Sequence, residues 1–177
     1  MDNEIRDDIL AAKVYLEPGV VSEYIEKYKE ISDPDVKFDY LSAACLVREK
    51  AEVEKVLALL GDVKVVKPQD QLYLFIYLYR NPKAREKAFL WLTENWEVVK
   101  GFGGEKTMSD YPILIARMAR TKKELNQYVK FFGPMKGELA VSRAIEIGER
   151  EIRARVELIS KYRGEVLAEL EKICSTN

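Results

Sequence analysis

Apolar residues recur every three or four positions along most of this chain, which is the spacing of one face of an α-helix. The first four helices that this pattern predicts cover residues 5–16, 20–31, 34–46 and 53–60. Pro18-Gly19 is expected to end the first helix, because this pair interrupts a helical pattern. Asp33 is expected to cap the third helix, and Gly61 to close the fourth.

The run of apolar and aromatic residues from Leu72 to Tyr79 is ambiguous. A run of this length fits a buried strand or a buried helix, and periodicity alone does not separate the two. Its neighbours are helical, and Pro68 followed by Gln69-Asp70 is typical of a helix start. We therefore predict a fully buried helix at this position.

The second half of the chain continues the helical pattern after a glycine-rich stretch at residues 101–104, which is predicted to be a loop. Thr107 with Asp110, and Thr121 with Glu124, resemble capping boxes that introduce two further helices. Only the second pair has the standard glutamate at its fourth position.

A long helix is predicted at the end of the chain, after a break at Gly133-Pro134. Apolar residues recur there at steps of three or four from Val141 to Ile173. Arg163-Gly164 is expected to bend or interrupt this helix. Helix pairs joined by short turns, with no strands, indicate an all-α fold of about ten helices. We expect an α-solenoid or superhelix of antiparallel helix pairs, of the HEAT or armadillo type.

Length and charge limit the classes of protein to which the chain belongs. Its 177 residues are enough for one domain that buries a sizeable core, so we expect residues 1–177 to form a single helical-repeat domain. The 29 Lys and Arg residues nearly balance the 30 Asp and Glu residues. Because a nucleic-acid or anionic-membrane partner requires a basic excess, we expect neither partner.

Histidine is absent from the sequence. Zinc hydrolases normally use histidine ligands, and Ser-His or Cys-His nucleophiles need an imidazole base. The residues therefore predict no catalytic site and no metal site in this chain. An enzyme with carboxylate-only chemistry remains open in principle, but no paired-carboxylate site is recognisable.

Two cysteines, Cys45 and Cys174, lie far apart and match no metal-binding or redox spacing. Isolated thiols favour an intracellular chain, so we expect a cytoplasmic location. The N-terminus is acidic and lacks the apolar segment of a signal peptide. No apolar run approaches the roughly 20 residues that span a bilayer, so no membrane partner is expected.

The segment from Asn81 to Trp96 has the capping residues and the apolar spacing of an amphipathic helix. Asn81 is suited to cap the first turn, and Pro82 to occupy the first helical position. Trp91 and Trp96 are expected to lie in the core, and a platform that binds a ligand is the alternative role for them. Arg85 is a candidate for an ion pair with Asp70.

The sequence of this segment resembles a motif in the C-terminal helical domain of the gluzincin aminopeptidases, which are aminopeptidase N-like zinc enzymes. That motif reads N-P-x-G-R-x-x-x-W-x-F-L-x-x-N-W and is preceded by Q-D at the start of the previous helix. The positions that match it are Gln69, Asp70, Asn81, Pro82, Arg85, Leu92, Asn95 and Trp96. Ala84 replaces the usual glycine, which indicates that no positive φ is needed there. Phe89 and Trp91 exchange the usual aromatic pair.

The resemblance implies that this chain is the distal part of the C-terminal helical domain of a zinc aminopeptidase. The catalytic domain of that family precedes the helical domain and holds zinc through an H-E-x-x-H motif, which is absent here. The helical domain closes over the catalytic domain and encloses the peptide-substrate chamber. The resemblance thus implies a non-catalytic chain without its own cofactor, whose partners are its catalytic domain and peptides, and whose motif residues are structural.

A free-standing helical-repeat scaffold that binds a protein partner is the alternative. The same helical pattern fits it, and no residue in the sequence separates the two hypotheses.

Overall fold

The computed structural model describes residues 5–17 and 19–175, and every regular element in these ranges is a helix. In chain order the α-helices are α1 (Arg6–Leu16), α2 (Val20–Glu30), α3 (Pro34–Ala44), α4 (Lys50–Leu57), α5 (Gln71–Arg80), α6 (Arg85–Glu94), α7 (Trp96–Lys100), α8 (Gly104–Met118), α9 (Lys122–Phe132) and α10 (Ser142–Ser175). The prediction of an all-α fold with about ten helices is confirmed. Stacking of helix pairs into a solenoid stays a prediction.

Two compact units divide the chain, at residues 1–104 and 105–177. In the first unit α3 packs against α1 and α2, α2 also contacts α4, and α5 packs against α3 and α6. The core of this unit includes Tyr24, Tyr28, Leu41, Cys45, Val56, Leu74, Phe75, Leu78 and Leu92. The Tyr24 hydroxyl donates to the Leu10 carbonyl at 3.1 Å, and burial raises the pKa of Tyr24 to about 12.

The second unit places α9 and a short 3-10 helix, Gly133–Gly137, against α10. Its core includes Tyr111, Ile115, Tyr128, Phe132, Ile145 and Ile152. The Tyr128 hydroxyl donates to the Ile145 carbonyl at 3.3 Å. Arg155 ties the end of α8 to α10, because its guanidinium donates to the carbonyls of Ala116 and Ala119 at 2.7 and 2.8 Å.

Two predicted helix starts are confirmed in atomic detail. The Asp33 carboxylate accepts from the backbone N–H groups of Asp35 and Val36 at 3.0 and 3.2 Å. Thr121 and Glu124 form a complete capping box at the start of α9. Such caps satisfy the first N–H groups of a helix, which have no intrahelical acceptor.

The ambiguous run from Leu72 to Tyr79 is helical, as predicted, and forms most of α5. The prediction that this helix is fully buried is wrong, because one side of it lies at the surface and Tyr73 is 51% exposed. Pro68 begins a single 3-10 turn that leads into it. Gly61, which was expected to close the fourth helix, has a φ of +81° in the turns that follow α4. The expected end of the first helix at Pro18 lies outside the described residues, although α1 ends at Leu16.

One prediction in the second half is wrong, and another is wrong in part. α8 begins at Gly104, so Thr107 lies inside the helix and does not cap it. α10 runs without interruption from Ser142 to Ser175, so Gly164 does not break it, and a bend there stays a prediction. The intrinsic cost of Gly164 in a helix is only about 1 kcal/mol, and the strong helix formers around it outweigh that cost. Within residues 5–17 and 19–175, no helix has both the length and the apolar character needed to cross a bilayer.

Gly148 of α10 lies where α8 and α9 come closest to this helix. A Cβ atom at Gly148 would overlap the Tyr128 hydroxyl and lie 2.9 Å from the Cβ of Ala116. We predict that Gly148→Ala lowers the free energy of unfolding by about 1–3 kcal/mol, because overpacking outweighs the better helix propensity of alanine. Urea denaturation followed by circular dichroism measures the change.

The matched control is Gly164→Ala in the same helix, where a Cβ atom meets nothing within 4 Å. This control is expected to stabilise the protein by up to about 1 kcal/mol. Adding Tyr128→Phe to Gly148→Ala removes the overlapping hydroxyl and should restore part of the loss. Equal effects at Gly148 and Gly164 would contradict the packing that the structure shows.

Candidate functional site

The turn between α5 and α6 is built around Asn81, a buried amide. Its Nδ2 donates to the carbonyls of Cys45 and Val47 at 2.8 and 2.6 Å, and its Oδ1 accepts from the backbone N–H of Lys83 at 2.9 Å. Its own carbonyl accepts from the N–H of Arg85 at 2.9 Å. Asn81 therefore joins the end of α5 to the loop that follows α3, across more than thirty residues of sequence.

The prediction of one helix from Asn81 to Trp96 is wrong in two respects. Asn81 is the C-terminal cap of α5, and Pro82 is an exposed residue in the turn that precedes α6. α6 begins only at Arg85, although Asn81 does cap the turn before it, since its Oδ1 accepts from the N–H of Lys83 and its carbonyl from the N–H of Arg85. α6 then ends at Glu94, and a separate helix, α7, begins at Trp96.

Arg85 faces back onto the helix that it follows. Its Nε donates to the Tyr79 carbonyl at 2.9 Å, and its guanidinium lies 5.5 Å from the centre of the Tyr79 ring. It thus binds a carbonyl in the last turn of α5, where a cation also interacts favourably with the negative end of the helix dipole. Ala84, beside it, has a φ of −104°, which agrees with the prediction that no positive φ is needed there.

The last three motif residues lie at the junction of α6 and α7. Asn95 caps α6, since its Nδ2 and its backbone N–H both bind the Trp91 carbonyl, at 2.8 and 2.9 Å. Leu92 is fully buried, and Trp96 is buried at the start of α7. The prediction that Trp96 belongs to the core is confirmed, whereas Trp91 is half-buried.

Gln69 and Asp70 lie at the other end of α5, beside a cleft of about 730 Å³ between α3 and α5. Its lining consists of Asp35, Phe38, Asp39, Gln69, Asp70, Tyr73 and Tyr77. Phe38 and Tyr73 meet edge to face with ring centres 5.6 Å apart. Arg6 of α1 binds Asp39 at 3.1 Å. Carboxylates next to aromatic rings favour a cationic group over an anionic one.

The structure gives no support to the predicted ion pair between Arg85 and Asp70. Asp70 precedes α5 and Arg85 follows it, so a helix of ten residues, about 15 Å long, separates them. Burial raises the pKa of the Asp70 carboxyl above its usual value, and the charges of Lys67 and Lys37 act in the opposite direction.

Gln71 is a buried polar residue that the motif comparison missed. Its Nε2 donates to the carbonyls of Leu59 and Val66 at 3.3 and 3.0 Å, and its Oε1 accepts from the N–H of Gly61 at 3.0 Å. It joins the start of α5 to the turns after α4, as Asn81 does at the helix's other end. The sequence does contain an indication of this burial. Gln71 lies one helical turn before Leu74, on the apolar face of α5.

The described side chains do not meet the requirements of a metal site. Within residues 5–17 and 19–175, no group of three or more His, Cys, Asp or Glu side chains is arranged to hold a metal ion, and this includes the cleft carboxylates. These residues therefore do not fit a zinc ion, and we assign no zinc-dependent step to them. Cys45 is buried, which raises the pKa of its thiol and disfavours the reactive thiolate.

Comparison with known proteins assigns this chain to a family. The family model described as ERAP1-like C-terminal domain matches residues 1–154. The chain belongs to this family. The resemblance that the motif indicated is thereby confirmed.

Curated relatives of this ERAP1-like C-terminal domain are named aminopeptidase N. That of Lactococcus lactis subsp. lactis is 31% identical over 154 residues, which are 86% of this chain and 18% of the relative. That of Lactobacillus delbrueckii subsp. lactis is 27% identical over 168 residues, 93% of this chain and 20% of the relative. The chain therefore spans about a fifth of the length of these relatives.

Asn81 provides a test of the junction in this ERAP1-like domain. We predict that Asn81→Ala lowers the free energy of unfolding by about 1–3 kcal/mol, because two buried carbonyls lose their donors. The nearly isosteric Asn81→Asp should be at least as damaging, since it places a second acceptor against these carbonyls. Denaturant unfolding measures both changes.

Gln69→Ala is the control, because Gln69 is an exposed residue of the same motif. Its effect is expected to stay within about 0.5 kcal/mol. If Asn81 and Gln69 tolerated alanine equally, the assigned role of the buried amide would be wrong.

Trp96 tests whether the motif's last aromatic residue supports the core. Trp96→Ala should lower the free energy of unfolding by about 3–5 kcal/mol, the range for removing a buried large side chain. Leu90→Ala, at an exposed position of α6, should change it by less than about 0.5 kcal/mol. A loss below about 1 kcal/mol for Trp96→Ala in urea melts would rule out a core role.

Proposed function

We propose that this chain is the non-catalytic C-terminal helical domain of a zinc-dependent aminopeptidase. The observation that carries the proposal is the combination of family and coverage. The chain matches an ERAP1-like C-terminal domain over residues 1–154, while its relatives named aminopeptidase N are about five times longer. In this proposal, the remaining part of the parent enzyme contains the catalytic domain.

The types of residue present agree with a parent enzyme in which another domain carries out catalysis. The chain contains no histidine, and its described carboxylates form no metal-binding group. The zinc ion and the attack on the peptide bond would therefore belong to the catalytic domain of the parent. This chain would close over that domain and form one wall of the peptide chamber, excluding water and folded proteins by its shape.

The motif residues have a structural role in this proposal. Asn81, Arg85 and Asn95 all donate to backbone carbonyls at helix ends. They fix the angles between successive helices, and those angles set the curvature of a chamber wall. The catalytic domain and peptide substrates are the proposed partners, and the cytoplasmic location predicted from the cysteines remains part of the proposal.

The purified chain should fail to hydrolyse aminoacyl-anilide substrates, with or without added zinc. The physical reason is that it lacks the ligands for zinc and the base that activates water. The measurement is release of the anilide chromophore, with an intact relative such as the Lactococcus lactis aminopeptidase N as positive control. Zinc-dependent turnover that survives repeated purification would overturn the proposal.

The genomic sequence around the coding region distinguishes an enzyme domain from a free-standing scaffold. An H-E-x-x-H motif in frame with this sequence, or in an adjacent coding region, is the expected result. A coding region whose neighbourhood contains no such motif would favour a scaffold that binds another protein.

A further inference from the structure

One apolar face runs along the whole of α10, but only its first half is covered. Residues at seven-residue spacing on this face are Ile145, Ile152, Ile159, Val166 and Ile173. Ile145 and Ile152 are fully buried, whereas Val166 and Ile173 are 54% and 61% exposed. Along the second half, the exposed large apolar residues are Leu158, Tyr162, Val166, Leu167, Leu170 and Ile173.

α9 covers the first half, together with the 3-10 helix Gly133–Gly137 and the end of α8. Tyr128 near the end of α9 reaches Ile145, while Lys122 at its start lines a groove with residues 153–161 of α10. α9 therefore runs antiparallel to α10, and its first residue borders a groove that extends to Lys161. Beyond Glu157, α10 continues for eighteen residues, or roughly 27 Å, with its apolar face largely exposed.

We propose that the free half of α10, residues 158–175, pairs with the same segment of a second copy in an antiparallel helix pair. The occupant of this face must be a helix with an apolar stripe of equal length, and the free half of α10 meets that description. A two-fold axis near Val166 lets each copy cover the other, so the contact closes as a dimer.

The direction of pairing follows from what covers the first half. A parallel partner would bring its own α9 to the position that this chain's α9 occupies, because both helices use the same face of α10. An antiparallel partner places its C-terminal turn beyond the start of α9, where the face is free. Its residues near Ile173 then lie opposite Ile159.

Charge complementarity supports this arrangement. The groove at the start of α9 has a volume of about 760 Å³ and is lined by Lys122, Lys161 and one acid, Glu157, together with Arg153, which is paired with Glu149. The C-terminal end of a helix carries a partial negative charge, and the N-terminal end of α9 a positive one. The negative C-terminal turn of the partner's α10 therefore enters a positively charged groove, next to the positive N-terminal end of α9.

The free half lies beyond the residues that the family model matches. The family model ends at residue 154, and the exposed part of the apolar face begins at Leu158. This inference does not rest on the proposed aminopeptidase function, since it concerns contacts between two copies of α10.

The test is the mass of the full chain in solution, measured by light scattering and by sedimentation over a wide range of concentration. A reducing agent excludes disulfides through the exposed Cys174. We expect a dimer that dissociates on dilution. Val166→Glu should shift the mass to that of one chain, because it places two charges at the centre of the contact.

The matched control is Ala168→Glu, which adds the same charge two residues away on the opposite face of α10. It should leave the dimer intact, and far-ultraviolet circular dichroism should show equal helix content for both variants. A monomer at every concentration would overturn the proposal and point to a different protein as the occupant. Equal dimerisation of the two variants would also overturn it.

Cysteine pairing tests the direction. In a Cys174→Ser background, Ile159→Cys and Ile173→Cys are made as separate variants, mixed and mildly oxidised. Antiparallel pairing predicts a disulfide between the two different variants, and little within either variant alone. Efficient linkage of Ile173→Cys to itself would show parallel pairing and contradict the proposal.

Discussion

Two buried side-chain amides, one at each end of α5, hold the first unit together. Between them, Gln71 and Asn81 bind five backbone groups from the turns that follow α3 and α4. α5 is mostly apolar, and apolar side chains alone leave a helix more freedom to adopt a neighbouring register than satisfied buried polar groups do. The amides remove that freedom, because a shift of one residue would leave buried carbonyls without donors, each at a cost of about 1–3 kcal/mol.

This constraint explains why a sequence motif without catalytic chemistry identifies a family. Asn81, Arg85 and Asn95 bind carbonyl groups at or near the ends of α3, α5 and α6. Each contact sets the direction in which the next helix leaves. Two of the three donors are neutral amides, which satisfy a carbonyl without the desolvation cost of a buried charge. The motif therefore records the geometry of consecutive helices.

The sequence was sufficient for the features that depend on local spacing. Periodicity located the helices, and the caps at Asp33 and Thr121 acted as their residue types predict. Some of the features that it missed depend on distant partners. Nothing near Asn81 indicates that its amide binds carbonyls 34 and 36 residues earlier, so it was interpreted as the cap of the following helix. Gln71 has partners up to 12 residues away and was missed for the same reason.

α10 also shows a feature that the sequence does not reveal. Its apolar pattern is uniform along its length, but only its first half is covered by other helices. Isoleucine or valine recurs at seven-residue steps from Ile145 to Ile173, and nothing in that pattern distinguishes the buried half from the exposed half. The difference arises because α9 has eleven residues and α10 has thirty-four. A helix three times as long as its neighbour keeps an apolar face beyond it, and water penalises that face in proportion to its area. The length mismatch between two helices of one chain is therefore the physical reason to expect a second chain.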